Sequence, residues 1–166
     1  MGVAGCGKSS LGQVIAACND LPLLEGDDFH SAESRAKMAN GIALTDEDRA
    51  DWLTTLSAEV LARPAGVVLT CSALKRAYRE RLRQAAPDAR FVFMDITPAQ
   101  ARQRVLARAA THFFSASLVD SQFATLERPD DEHGVLRVDA EAPLDALGAQ
   151  VSAWLAHPLS RTATTP

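Results

Sequence analysis

Gly2-Val3-Ala4-Gly5-Cys6-Gly7-Lys8-Ser9 is the stretch on which the fold of this chain turns. It matches GxxxxGK[ST] in full, a pattern whose glycines let backbone N–H groups turn inward around phosphate oxygens while the following helix presents its positive end to the same anion. Gly2, Gly5, Cys6, Gly7, Lys8, Ser9 and Ser10 are therefore candidates for binding ATP. Lys8 would reach the β- and γ-phosphates, and the Ser9 hydroxyl would ligate Mg²⁺. An amphipathic helix follows directly, predicted over Gly7–Cys18 with Leu11, Val14, Ile15 and Cys18 on one stripe. Such a loop ordinarily follows a buried strand, and here only Met1 precedes Gly2. The first strand is missing from this reading, and truncation is the expectation, because losing a central strand would expose the edges of its two neighbours.

Downstream the periodicity alternates. Strands are predicted at Leu21–Glu25, Val67–Cys71, Phe91–Ile96 and Val135–Val138. Between them, Ser31–Asn40 reads as a helix capped by Ser31 and stopped by Gly41, and Thr45-Asp46-Glu47-Asp48 reads as a capping-box-like start. That second helix carries Trp52, Leu53, Leu56, Val60 and Leu61 on one face. Further helices place Leu74, Tyr78 and Leu82 inward, then Ala101, Val105 and Leu106 behind Pro98, then Ser117–Leu126, and last Leu144, Leu147, Val151, Trp154 and Leu155. Strands alternating with helices mean an α/β fold around a mostly parallel sheet, with the active site at the carboxyl ends of the strands. One domain over residues 1–156 and a disordered tail over 157–166 are expected.

Composition agrees. With 47% hydrophobic and 23% charged residues the 166-residue chain is of ordinary globular type. A net charge of −4 and the lack of a basic run disfavour nucleic acid and membrane surfaces as partners. No apolar run is long enough to span a bilayer and the sequence shows no signal-type N-terminus, so the cytoplasm is the expected location. Three cysteines without CxxC spacing suggest neither disulfides nor zinc; Cys18 is expected in helix packing and Cys71 at a strand end.

A phosphate loop does not separate kinases from ATPases and GTPases, although the lack of an NKxD-type signature lowers the GTPase option. Glu25-Gly26-Asp27-Asp28-Phe29-His30 stands where a second strand ends, and a carboxylate there can take a proton from an acceptor hydroxyl or hold the hydration shell of Mg²⁺. At this point the residues resemble a family. GVAGCGKSS at 2–10, LEGDDFH at 24–30, KMANGIALTDEDRADWL at 37–53, CSALKRAYRERLR at 71–83 and HFFSASLVDSQFATLERP at 112–129 resemble the bacterial gluconokinases of the phosphate-loop type. GDDFH and CSALK are the specific parts, absent from shikimate and adenylate kinases of similar fold.

The resemblance implies a nucleoside-monophosphate-kinase-like architecture with an acceptor-binding helical segment around 31–63 and a lid around 108–126. It implies transfer of the ATP γ-phosphoryl group to the 6-hydroxyl of D-gluconate, giving 6-phospho-D-gluconate and ADP, and a homodimer. By position, Asp27 would bind the acceptor hydroxyl or act as base, and Glu25 would support Mg²⁺ through its water shell. An anionic, hydroxylated acceptor needs a cation and polar partners. Lys75 and Arg79, four apart on a predicted helix, could supply the charge, with His30 and Arg49 beside them. Arg108 is expected on the phosphates and Arg104 near adenine. Asp51 stands where proline is common in the family, and Ala109-Ala110-Thr111 is one residue longer than usual. Rival readings are a kinase of another polyol acid or of shikimate, and a nucleotide-binding module without transfer activity.

Overall fold

Four short strands pair in parallel, two by two. The computed structural model describes residues 1–107 and 118–158. In it β1 (Leu23–Glu25) pairs with β2 (Val68–Thr70), with Leu23 opposite Val68, and β3 (Phe91–Asp95) pairs with β4 (Val135–Asp139), with Phe91 opposite Val135. Between β2 and β3 lies the position of the expected missing strand, and among the described residues only Met1 and Gly2 bridge it. The Met1 ammonium donates to Val92 O at 2.7 Å, Met1 O accepts from Met94 N at 3.0 Å, and Gly2 N donates to Ser72 O at 3.1 Å. These bonds fix the start of the phosphate loop along β3 and just past the end of β2.

The helices are α1 (Lys8–Asn19), α2 (Ala32–Ala39), α3 (Asp46–Leu61), α4 (Arg76–Ala85), α5 (Pro98–Ala107), α6 (Leu118–Thr125) and α7 (Leu144–Leu155). They cover both faces, because successive strand residues belong to different cores. Val68, Val92 and Leu136 pack with Leu11, Ile15, Leu147 and Val151 of α1 and α7, whereas Leu69, Phe91 and Val135 pack with Trp52, Leu56, Tyr78 and Leu82 of α3 and α4. That is the period-2 alternation of a strand buried on two sides. A third cluster, Met38, Leu44 and Leu118, joins α2 to α6.

Local signals set the helix ends. Ser31 Oγ accepts from Ser34 N, and Gly41 leaves α2 with φ of 72°. Thr45 and Asp48 form a reciprocal capping box. Three apolar expectations fail. Leu61 is 63% exposed at the last residue of α3, and Leu106 is 62% exposed because it lies one residue, about 100° of helix, past the buried Val105. Cys18 is exposed in the last turn of α1 instead of packed. Cys71 is buried just past β2, as expected of a strand end. The expected acceptor segment, 31–63, contains α2 and α3; of the expected lid, 108–117 lies outside the described residues, as does the tail beyond 158.

Candidate active site

The phosphate loop and the end of β1 open onto one cavity of about 220 Å³, lined by loop residues together with Glu25, Asp27, His30, Arg49, Thr70 and Gln122. The loop has the backbone its sequence requires. Gly5 has φ of 82°, and a Cβ there would stand 2.7 Å from Ala101 O of α5, so only glycine fits. Gly7, at φ of 99°, enters α1 without a side-chain cap, which leaves the first N–H groups of that helix for an anion. Lys8 lines the cavity with its Nζ 3.2 Å from Val3 O, folded back on the loop.

Ser9 Oγ donates to Glu25 Oε2 at 2.9 Å, and the Thr70 hydroxyl donates to the same oxygen. This cluster at the paired ends of β1 and β2 is an oxygen-only donor set, of the type Mg²⁺ prefers. Among the described residues no group of three or more His, Cys, Asp and Glu could cage an ion. The site therefore suits a metal that keeps its waters and its phosphate ligands.

The short 3₁₀ turn over Gly26–Phe29 carries Asp27, whose side chain is 62% exposed. Its backbone is held from below, since Trp52 Nε1 donates to Gly26 O at 2.7 Å. His30 is buried and stacks on Trp52 with ring centroids 4.5 Å apart and planes 9° apart. Nε2 of His30 is 4.0 Å from Asp27 Oδ1, and Nδ1 is buried without a partner among the described residues. Burial lowers the His30 pKa, Asp27 opposes this, and Arg49 and Arg35 reinforce it. The imidazole is thus neutral at pH 7, with one nitrogen to donate and one to accept. Arg49 donates through Nη1 to Leu44 O and Thr45 O and lines the cavity.

Two expected anion ligands stand elsewhere. Arg79 is 1% exposed; it donates to Ala73 O, Leu74 O and Glu127 O and forks onto the Glu132 carboxylate, so no donor is left for a substrate. Lys75 is not inside a helix but at the extended N-cap of α4, where its Nζ holds both Asp46 oxygens at 2.7 and 2.8 Å. Tyr78 adds its hydroxyl to the same carboxylate. Lysine and tyrosine together hold the Asp46 pKa down, and Asp46 in return raises that of Lys75. Arg104 donates to Ala140 O at 3.0 Å and is not part of the cavity wall. Arg108 lies outside the described residues. Thr70, Trp52 and Gln122 were not singled out as site residues from the sequence, although Trp52 and Gln122 fall within the quoted stretches; Gln122 Oε1 accepts from Ala4 N of the loop at 2.7 Å.

Parallel strands between helical layers, an anion loop running into α1 and a carboxylate facing the same cavity define a phosphate-loop kinase fold. The family model described as an AAA domain matches residues 1–129. A gluconokinase of Gluconobacter oxydans is 41% identical over 150 residues, covering 89% of this chain and 84% of that one. The thermosensitive gluconokinase of Escherichia coli is 38% identical over 143 residues, covering 84% and 76%. The crystal structure of a gluconokinase from Sinorhizobium meliloti superposes with a TM-score of 0.81 at 40% identity, covering 94% and 93%. The chain belongs to the gluconokinase family.

Proposed function

We propose that this chain transfers the γ-phosphoryl group of ATP to the 6-hydroxyl of D-gluconate. The observation that carries the reading is that Lys8, Asp27, His30 and Arg49 line one cavity, which joins an anion loop to a base, a neutral hydrogen-bonding ring and a cation. Lys8 and Arg49 are its lining cations among the described residues, so Arg49 takes the gluconate carboxylate that Lys75 and Arg79 were expected to share. Asp27 binds the acceptor hydroxyl and receives its proton as the oxygen attacks phosphorus. The bond from the γ-phosphorus to the β–γ bridging oxygen breaks, ADP leaves with that electron pair, and a phosphate ester forms. Ser9 would hold Mg²⁺ directly and Glu25 its water shell; the ion, when bound, neutralises charge on the β- and γ-phosphates. His30 fixes one acceptor hydroxyl. Arg108 stands as the cation expected on the transferring phosphoryl, and Arg104 as the residue expected beside adenine.

Catalysis of this kind is positioning plus electrostatics, with little covalent work for the protein. Among the described residues no helix is long and apolar enough to cross a membrane. A cytoplasmic homodimer is the setting we propose. The test is gluconate-dependent ADP release by the purified chain with ATP and Mg²⁺, with the product identified by phosphorus NMR. A 6-phosphogluconate signal is expected, reduced at least about 10²-fold in Lys8→Ala. A folded chain that binds ATP and transfers nothing to gluconate would sink the proposal.

A further inference from the structure

Resting on the kinase reading just given, we propose that Gln122 touches the transferring phosphoryl group, and that it does so because the phosphate loop itself orients its amide. A backbone N–H can only donate, so the bond from Ala4 N at 2.7 Å fixes which end of the Gln122 amide faces the loop: the oxygen. Nε2, with two protons to give, is the other end. Gln122 lines the same cavity as Lys8, Ser9 and Asp27, and among the described residues no acceptor engages its Nε2. The helix that carries it is anchored. Leu118, one turn before Gln122, is buried with Met38 and Leu44, and Val119 is fully buried in the main core.

The chemistry at that place favours a neutral donor. Negative charge spreads over the equatorial oxygens of phosphorus as the bond to ADP breaks and the bond to the acceptor oxygen forms. A donor already held in place stabilises that charge without reorganisation. Gln122 differs from Lys8 in being positioned from α6 rather than from α1. The loop thus gives up one N–H of its own and gains an oriented NH₂ group from another element. ADP lacks the γ-phosphoryl group, so Gln122 should distinguish ATP from ADP.

Two variants separate this role from a mere tether. Gln122→Glu keeps an oxygen for Ala4 N–H and replaces the donor by an anionic oxygen; Gln122→Leu removes both. Binding of ADP and of a non-hydrolysable ATP analogue is measured without gluconate, alongside thermal melting and gluconate-dependent ADP release. For Gln122→Glu the expected result is wild-type melting and ADP affinity within about threefold of wild type, with analogue affinity at least about tenfold weaker and kcat lower by about 10²–10³. A Gln122→Glu enzyme with wild-type kcat and wild-type analogue affinity overturns the proposal and leaves only the tether. Should the variants not fold, ¹⁵N-labelled wild-type protein gives the same decision: the Gln122 side-chain amide must shift with the ATP analogue and much less with ADP, and an unmoved signal overturns it. Wild-type protein that binds the analogue but makes no phosphogluconate would instead count against the gluconate reading, since the binding arms do not involve gluconate.

Discussion

Replacing Arg79 by methionine should unfold this protein more readily without touching its use of gluconate. The guanidinium is 1% exposed and satisfies three backbone carbonyls, Ala73 O at 2.8 Å, Leu74 O at 3.0 Å and Glu127 O at 3.0 Å, besides the Glu132 carboxylate. One of those carbonyls belongs to Ala73, which sits in the left-handed region at φ of 42°. Methionine would fill much of the volume but donate to none of these acceptors, leaving Leu74 O with Glu127 N alone and Glu132 with Arg83 alone. Removing one member of a buried ion pair costs about 3–5 kcal/mol, a large part of the roughly 5–15 kcal/mol that holds a domain folded. For a chain of this size that lowers the melting temperature by about 6–20 °C. Guanidinium unfolding at constant slope reads the loss directly. Acid adds a second readout. Burial raises the Glu132 pKa, but the bonds from Arg79 and Arg83 outweigh it and the net shift is downward. Its stabilisation is therefore present above about pH 4.3, the ordinary glutamate value, and lost as pH falls through the lower folded pKa. Arg79→Met should flatten that acid limb. If the variant instead melts like wild type and shows a tenfold higher KM for gluconate, Arg79 is a substrate ligand and the burial argument is wrong.

Two further perturbations test the turn that carries Asp27. Burial depresses the His30 pKa, so the unfolded chain takes up a proton below about pH 6.5 while the folded chain resists it, and stability must fall as pH drops through that window. His30→Gln should remove that part of the slope, and equal slopes for the two proteins between pH 5 and 7 would count against a buried neutral imidazole. Gly26→Ala should cost about 1–3 kcal/mol, because its Cβ would meet the backbone Thr70 O at 2.4 Å and Cys71 Cβ, which no rotamer change can move, at 3.1 Å. The displaced turn should lower kcat by up to about 10²-fold, and unchanged kcat in steady-state assays would show that Asp27 tolerates the shift.

What was legible in the chain was local. GxxxxGKS, the Ser31 cap and the Thr45–Asp48 box each act within eight residues: the two caps satisfy their own helix N–H groups, and the glycines of the loop supply the positive φ it needs. Reading Lys75 and Arg79 as paired anion ligands failed for a specific reason. The four-residue spacing brings two side chains together only inside a helix, and α4 begins one residue after Lys75, whose backbone is extended at φ −94° and ψ 150°. Their true partners lie 29 and 53 residues away, Asp46 and Glu132, and no local pattern announces a pairing at that distance. The Gln122 bond to Ala4 spans 118 residues and was illegible on the same ground.

These long-range bonds also hold the phosphate loop in place. With β2 and β3 unpaired to each other, the loop is set at its start by backbone bonds from Met1 and Gly2. Its middle is gripped from two other elements, by α5, whose Ala101 O leaves no room for a Cβ at Gly5, and by α6, whose Gln122 holds Ala4 N. Those two helices are themselves joined, through the Arg102 and Asp120 ion pair and through packing. A displacement of α6 is therefore transmitted to the loop twice, once directly through Gln122 and once through α5 and Gly5. α6 lies within the segment expected to act as a lid, 108–126, so on that proposal closure would act on the loop through these same contacts.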